Sequence, residues 1–183
     1  MSDRSVTRHR RFAAPGLLLL AVLTVSLLFS ACGKSYRNDL TAQDVANSVL
    51  SALPAGEGRH VAGQGYVSSS SFGEKYTDLR EKTDGYVIYL SDASDTNIDE
   101  IGVFHVVESG DVSGLKKILE EYVKAQQLRL KDLLESYNPD ELPKLDNAQV
   151  TVCGNYILYT ILSDSDTATA KEAFAKALKA ATE

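Results

Sequence analysis

The chain has 183 residues, 44% of them hydrophobic, and its 25 acidic side chains outnumber 19 basic ones. This length and composition are sufficient for one domain with a real hydrophobic core. The formal net charge of −6 argues against nucleic acid and against anionic lipid headgroups as partners, because both require clustered Lys and Arg.

The first element in chain order is an uncharged apolar stretch, Leu17–Phe29, with arginines before it and a cysteine after it. The arginines occupy positions 4, 8, 10 and 11, and Ser30 and Ala31 place small residues directly before Cys32. A basic segment, a short apolar core and a small-residue cleavage site are the parts of an export signal. Ordinary signal peptidase also requires a small residue at position −3, which here is the bulky Phe29.

The four residues Phe29–Ser30–Ala31–Cys32 resemble a bacterial lipobox, with Phe where that motif usually has Leu. The resemblance implies cleavage between Ala31 and Cys32 and diacylation of the Cys32 thiol. We therefore expect residues 1–31 to be a lipoprotein signal peptide and Cys32 to be the lipid attachment site. Two or three acyl chains give lasting attachment, because each buried methylene contributes about 0.8 kcal/mol.

Two other interpretations of the leader stay open. Phe12–Gly33 carries no charge and could span the bilayer as an uncleaved anchor, although Pro15 and Gly16 make its first part a poor apolar helix. Arg10–Arg11–Phe12 loosely resembles a twin-arginine signal. In each case the arginines stay in the cytoplasm and the rest of the chain lies outside.

Removal of residues 1–31 would take away four arginines and one aspartate, leaving 15 basic and 24 acidic residues and a net charge of −9. We predict that residues 32–40 form a lipidated tether and that residues 41–183 form a single domain. With Cys32 acylated, Cys153 has no partner for an internal disulfide. We expect Cys153 to be a small packed residue, the alternatives being an intermolecular disulfide or a metal ligand.

A helix is predicted directly after the tether. Thr41 and Asp44 form an acidic variant of the capping box that begins a helix, and Pro54 ends it. The apolar stripe of this helix comprises Val45, Val49, Leu50 and Leu53.

The segment after the helix, Gly56–Gly73, is rich in Gly and Ser and predicts a long loop.

Two strands and the longest helix follow. Gly85–Leu90 and Ile101–Val107 have the aromatic and β-branched content of strands and predict a hairpin. Asp111 is placed to cap a helix over about Val112–Ser136. The positions at helical spacing are mostly apolar: Leu115, Leu119, Tyr122, Gln126, Leu130, Leu133 and Tyr137.

A second hairpin gives the most specific local prediction. Ala148–Cys153 and Tyr156–Leu162 flank Gly154–Asn155, and a two-residue turn with Gly first is typical of type II′. This turn predicts a register that pairs Cys153 with Tyr156, Val152 with Ile157, Val150 with Tyr159 and Ala148 with Ile161. We expect the face of Val150 to be buried and the other face to be partly wet, because the latter includes Gln149, Thr151 and Thr160.

An Ala-rich helix that begins near Asp164 closes the chain. The sequence therefore predicts an α+β fold in the order α-ββ-α-ββ-α, with about four mainly antiparallel strands in two hairpins. We expect the helices to pack on one face of the sheet.

Several of these motifs occur in a recognisable order. They are Asp99–Phe104 (DEIGVF), the long helix, Tyr137 before Pro139, and Gly154–Tyr159 (GNYILY). In this order the chain resembles an uncharacterised family of Gram-positive bacterial lipoproteins that is defined by a domain of unknown function. The resemblance implies surface anchoring and a single domain, and it implies no activity and no catalytic residue.

The ionisable residues do not form a recognisable catalytic or metal-binding pattern. His60 and His105 are far apart and lack ligand spacing. Asp99 and Glu100 are adjacent, so their side chains diverge at the start of a strand. A catalytic carboxylate pair requires convergent geometry, so we expect these two to be solvated at the sheet edge or to form a salt bridge.

The serine, glycine and tyrosine patterns are also structural in character. Ser68–Ser71 has no nucleophile elbow around it, and Gly56–Gly65 lacks the Lys-Ser/Thr ending of a phosphate-binding loop. We expect the strand tyrosines to pack against cross-strand neighbours, with carbohydrate or peptide recognition as the alternative: Tyr86, Tyr89, Tyr156 and Tyr159. We assign no catalytic, cofactor-binding or metal-binding residue.

The function expected from the sequence is that of a membrane-anchored extracytoplasmic lipoprotein, acting as a binding or accessory module of the cell envelope. Its predicted partners are the membrane, through acyl chains on Cys32, and a protein or small molecule of the envelope. Two alternatives remain. One is a cell-envelope hydrolase acting on glycan or peptide with carboxylates that the sequence does not pair, and the other is a structural spacer that binds nothing.

Overall fold

The structure is a computed structural model that describes residues 36–54, 79, 81–90 and 97–180, all within one compact unit. The predicted signal peptide, Cys32, His60 and the Gly- and Ser-rich loop lie outside the described residues. The elements that are described follow the predicted order, with one additional short helix: α1 (Ala42–Ala52), β1 (Thr83–Leu90), β2 (Glu100–Val106), α2 (Val112–Tyr137), α3 (Leu142–Asp146), β3 (Gln149–Cys153), β4 (Tyr156–Ile161) and α4 (Asp164–Ala177). The predicted α+β class is confirmed.

Helix α1 begins at the predicted capping box. The Thr41 side-chain oxygen accepts a hydrogen bond from the Asp44 backbone N–H at 3.1 Å, and the Asp44 carboxylate accepts one from the Thr41 backbone N–H at 3.2 Å. The Thr41 hydroxyl also donates to Oδ2 of Asp44 at 2.7 Å, and this bond, followed by the bond from the Thr41 backbone N–H, lowers the pKa of the Asp44 carboxyl. Both residues thereby satisfy donors that a helix N-terminus leaves without intrahelical partners.

The four strands form one antiparallel sheet in the order β1-β2-β4-β3. Gly154 has a φ of 57° and is the one described residue with a positive φ, as a type II′ turn requires of its first central residue. The predicted register is confirmed for Cys153 with Tyr156, Val152 with Ile157 and Val150 with Tyr159. The two hairpins are joined side by side through β2 and β4.

The expectation that the helices pack on one face of the sheet is wrong. Helix α2 covers one face, where Leu119 packs with Phe104 and Ile157. Helices α1 and α4 cover the other face, in a core that includes Phe174 and Leu158. The physical reason is that the apolar stripes of α1 and α4 also require cover, and the second face of the sheet supplies it.

The face of β4 that was expected to be partly wet is consequently buried. Every residue of β4 is buried, including Thr160. The polar residues that suggested a wet face, Gln149 and Thr151, lie on β3, which is an outer strand of the sheet and is partly exposed.

The two ends of the sheet differ in what surrounds them. We call the end that holds the Gly154–Asn155 turn the turn end; β1 begins there and β2 ends there. We call the opposite end, where β2 begins at Glu100, the far end. Helix α2 reaches the far end, where Leu134 packs with Leu145 of α3 and Ile161 of β4. No helix among the described residues is long and apolar enough to cross a membrane.

Candidate functional site

A buried carboxylate lies at the far end of the sheet, between β2 and α2. Oε1 of Glu100 accepts hydrogen bonds from the Tyr122 hydroxyl at 2.5 Å and from the Tyr159 hydroxyl at 2.6 Å. Burial raises the pKa of Glu100, while the two tyrosine bonds and the charge of Arg129 act in the opposite direction. We call Glu100, Tyr122 and Tyr159 the carboxylate–tyrosine cluster.

Both hydroxyls of this cluster remain donors. Burial, followed by the nearby charge of Glu100, raises the pKa of Tyr122 and that of Tyr159 well above the ordinary tyrosine value. The rings meet edge to face, with centroids 5.4 Å apart, in an arrangement that aromatic pairs favour. The cluster therefore holds one acidic group in a fixed position with two neutral donors directed at it.

A glycine on β2 makes room for the cluster. Gly102 is directly opposite Tyr159 in the sheet, and a Cβ atom at Gly102 would lie 2.0 Å from Cε1 of that ring. Glu100 and Gly102 share a strand face because side chains alternate along a strand. The missing side chain thus lets Tyr159 lie across β2, and the DEIGVF and GNYILY motifs meet at this point.

The neighbouring carboxylate, Asp99, belongs to a separate ion-pair group. Its Oδ1 atom lies 2.7 Å from Nζ of Lys144, which also contacts Oε2 of Glu141 at 2.8 Å and donates to Oδ1 of Asn97 at 3.0 Å. Glu141 in turn accepts from the Ile98 backbone N–H at 2.9 Å. These bonds connect α3, and the turn that precedes α3, to the start of β2.

The sequence prediction for the two adjacent acidic residues is therefore half right. Asp99 forms the expected salt bridge with Lys144. Glu100 is neither solvated nor ion-paired at the sheet edge, because α2 covers it and Tyr122 and Tyr159 bind its carboxylate.

A histidine occupies the turn end. Nδ1 of His105 lies 2.7 Å from Oδ1 of Asp84, and Nε2 lies 2.9 Å from Oδ1 of Asn38. The imidazole stacks on the ring of Tyr156, with centroids 4.3 Å apart. His105 is 8% exposed, so the expected strand-face position is confirmed, and both ring nitrogens have partners from other parts of the chain.

Residues 36–40, which the sequence assigns to the tether, contact the folded body along their length; we call them the strap. Tyr36 forms a β-bridge with Lys179, and the Arg37 backbone N–H donates to the Leu178 carbonyl at 2.9 Å. The Tyr156 hydroxyl donates to the Leu40 carbonyl at 2.6 Å and accepts from the Leu40 N–H at 3.0 Å. The strap is thus held at both ends by hydrogen bonds that involve its backbone.

Cys153 is a packed residue, as predicted. It is buried, and a hydrogen bond with it is the largest of the effects that raise the pKa of Tyr36 in the strap. Within the described part of the chain, no three His, Cys, Asp or Glu side chains converge to hold a metal ion. Ser68–Ser71 and Gly56–Gly65 lie outside that part.

One comparison with known proteins, that with family models, matches the sheet and the helix α2. The family model described as a domain of unknown function, DUF4358, matches residues 74–162. The chain contains a DUF4358 domain. No curated protein and no solved structure matches the chain.

The DUF4358 match contains all four strands, α2 and α3, and therefore the whole carboxylate–tyrosine cluster. The strap, α1 and α4 lie outside it. His105 and Asp84 are inside the DUF4358 region, whereas their partner Asn38 is in the strap. The resemblance to a family defined by a domain of unknown function is confirmed, and its lipoprotein character stays a prediction.

Three contributors to these sites were missed in the sequence. Gly102 carried a usable signal, since glycine inside a strand often marks a close approach by a neighbouring group. Tyr122 was placed on the apolar stripe of α2, and a buried tyrosine hydroxyl requires a partner. Asn38 carried no signal, because nothing in a short polar stretch distinguishes a bound segment from a solvated one.

Proposed function

We propose that this protein is a lipoprotein attached through acyl chains on Cys32 to the extracytoplasmic face of the cell membrane. In this proposal its folded body, which contains the DUF4358 domain, binds a partner of the cell envelope. The leader Leu17–Cys32 supports the attachment, since it combines a basic start, an apolar core and a lipobox-like ending.

The observation that carries the binding role is the exposure of apolar side chains on α2. Leu133 is 53% exposed and Tyr137 is 82% exposed, and residues four apart on a helix are neighbours on its surface. Leu133 and Tyr137 therefore form one exposed apolar pair, which we call the α2 patch. Exposed apolar patches mark protein-contact sites, and an amphipathic helix face is a common way to present one.

Three of the buried ionisable residues support the role of the body as a scaffold. Glu100 is engaged by two tyrosine hydroxyls, Asp99 by Lys144, and His105 by Asp84 and Asn38. Each group is thus already bonded to the protein in a way that fixes elements of the fold to one another. This arrangement favours a rigid scaffold that presents a surface.

The attachment is tested by the Cys32→Ala variant. We expect this variant to lose metabolic fatty-acid labelling completely and to be released from membranes or misprocessed, because its only proposed acylation site is gone. Labelling with a clickable fatty acid and mass spectrometry of the mature N-terminus measure this. Cys153→Ala is the matched control and should keep full labelling, because that thiol is buried. Unchanged labelling of Cys32→Ala would refute the attachment.

The binding role is tested with a photo-crosslinking amino acid placed at Tyr137 in intact cells. We expect one discrete adduct, which Leu133→Ser should weaken strongly by removing half of the α2 patch. Leu128 is the matched control site: it is 73% exposed but lies nine residues away, which is about half a turn around the helix. Equal adducts at Leu128 and Tyr137, or none at either, would contradict a partner at this patch and favour the structural spacer.

A further inference from the structure

We infer that the turn end of the sheet faces the membrane and that the strap holds the body in this orientation. The inference rests on the proposed acylation of Cys32, and it adds which surface of the body the lipid bilayer meets. The far end, with the carboxylate–tyrosine cluster, then faces away from the bilayer.

The strap is fixed to rigid parts of the fold. Its first residues pair with the segment that follows α4, through Tyr36 with Lys179 and Arg37 with Leu178. Its centre is bonded to the buried His105 through Asn38 at 2.9 Å. Its last residue exchanges two hydrogen bonds with the hydroxyl of Tyr156, whose residue is completely buried.

The turn end is the part of the sheet that these contacts involve. His105 lies near the end of β2, and Tyr156 is the first residue of β4. A Cβ atom at Gly154 would lie 3.0 Å from Cβ of Tyr36, so the turn itself is in contact with the strap. The asparagine of the turn, Asn155, donates from its side chain to the Val106 carbonyl at 3.2 Å, which joins the turn to the end of β2.

The covalent connection to the proposed lipid is short. Three residues separate Cys32 from Tyr36, so their Cα atoms are at most about 14 Å apart. Strand β2 has seven residues from Glu100 to Val106 and therefore measures about 20 Å. The far end is thus farther from the acylated residue than the connection can reach, while the turn end is within reach.

Electrostatic attraction does not account for this orientation. Two ion pairs lie in the strap and at the turn end: Arg37 with Asp39 at 2.7 Å and Lys82 with Asp111 at 3.1 Å. Surface pairs of this kind present little net charge to a headgroup layer. The orientation should therefore change little between low and high salt, in contrast to an orientation set by surface charge.

The test uses the full acylated protein, purified from membranes and incorporated into phosphatidylcholine vesicles that carry a nitroxide quencher at the headgroup. A small maleimide fluorophore is placed at Val107→Cys, on the turn end, or at Asp140→Cys, beside α3 at the far end; both native residues are exposed. The parent protein is the labelling control, since Cys153 is buried and Cys32 would be acylated. We expect several-fold stronger quenching at position 107 than at position 140.

A matched variant carries a flexible Gly/Ser insertion of about twelve residues between Gly33 and Lys34. We expect this insertion to reduce the difference between the two positions strongly, because the body is then free to leave the surface and rotate. Four outcomes would overturn the inference while leaving acylation intact. Without the insertion, quenching could be equal at the two positions or stronger at position 140. The difference between the positions could also persist after the insertion, or disappear in high salt. A protein that carries no acyl chain and does not float with the vesicles would overturn the proposed attachment instead.

Discussion

The Gly102→Ala variant should lose about 3 kcal/mol of its free energy of unfolding, at the upper end of the range for overpacked cores. The added Cβ would lie 2.0 Å from Cε1 of Tyr159 and 2.6 Å from its Cδ1, so the ring must move. That ring is completely buried and its hydroxyl is bonded to Glu100 at 2.6 Å. Movement therefore also weakens a buried hydrogen bond. Urea unfolding followed by circular dichroism measures the loss.

Gly114→Ala is the control for this substitution. Gly114 lies in α2, and a Cβ atom there would meet no atom within 4 Å beyond its own stretch of helix. Alanine in a helix is favoured over glycine by about 0.5–1 kcal/mol, so this variant should be slightly more stable than the parent.

A double variant identifies the cause of the loss. Tyr159→Leu removes the ring atoms that the new Cβ would strike, so the two substitutions should cost less together than the sum of their separate costs. An unchanged unfolding midpoint for Gly102→Ala, or simple additivity with Tyr159→Leu, would show that the close approach at Gly102 does not constrain the fold.

The Glu100→Ala variant should lose about 2–3 kcal/mol of its free energy of unfolding at neutral pH. The substitution removes the acceptor of the Tyr122 and Tyr159 hydroxyls, and a buried donor that loses its acceptor costs about 1–3 kcal/mol. Glu100→Gln is the matched variant, because its amide oxygen can accept from the same hydroxyls without a negative charge. We expect Glu100→Gln to be much closer to the parent in stability than Glu100→Ala.

The same pair of proteins gives a pH test. Burial raises the pKa of Glu100 in the folded state, so folding favours its protonated form. The resulting contribution to stability is fully present below the ordinary glutamate pKa of about 4.3 and is lost as the pH rises through the raised value. The stability of Glu100→Gln relative to the parent should therefore increase over this pH range. A relative stability that falls instead would show that the tyrosine bonds outweigh burial and that the folded protein favours the charged carboxylate.

Local features of the fold were readable from the sequence because their causes are local. The type II′ turn requires only a glycine that adopts a positive φ, and Gly154 supplies it. The capping box requires two side chains three residues apart, and Thr41 with Asp44 meets this requirement. In both cases the deciding interactions lie within four residues of chain.

The placement of the helices on two faces also had a signal, although it was misinterpreted. Apart from Thr160, the β4 sequence YILYTI is apolar or aromatic on both of its faces, which is typical of a strand that is covered on both sides. The polar residues that made one face of the hairpin look wet belong mainly to β3, which is an outer strand and carries less of the core. The pattern of β4 by itself predicts helices on both faces of the sheet.

The contacts of the strap could not be read from the sequence. Asn38 and His105 are 67 residues apart, and Leu40 and Tyr156 are 116 residues apart. No periodic pattern connects such positions, and the strap is polar like a solvated linker. Only the three-dimensional arrangement of β2 and β4 shows that the polar groups of the strap form hydrogen bonds with the body.

The bridge between Tyr36 and Lys179 has a consequence for the time at which the body is completed. Tyr36 is the first of the described residues and Lys179 is near the last of them. The ribosome therefore synthesises Tyr36 long before Lys179. In a secreted chain that emerges N-terminus first, the opening residues must wait until nearly all of the polypeptide has crossed before they can be secured. Completion of the body is therefore a late event, and in the proposed lipoprotein the segment next to the proposed cleavage site would stay accessible to processing enzymes until then.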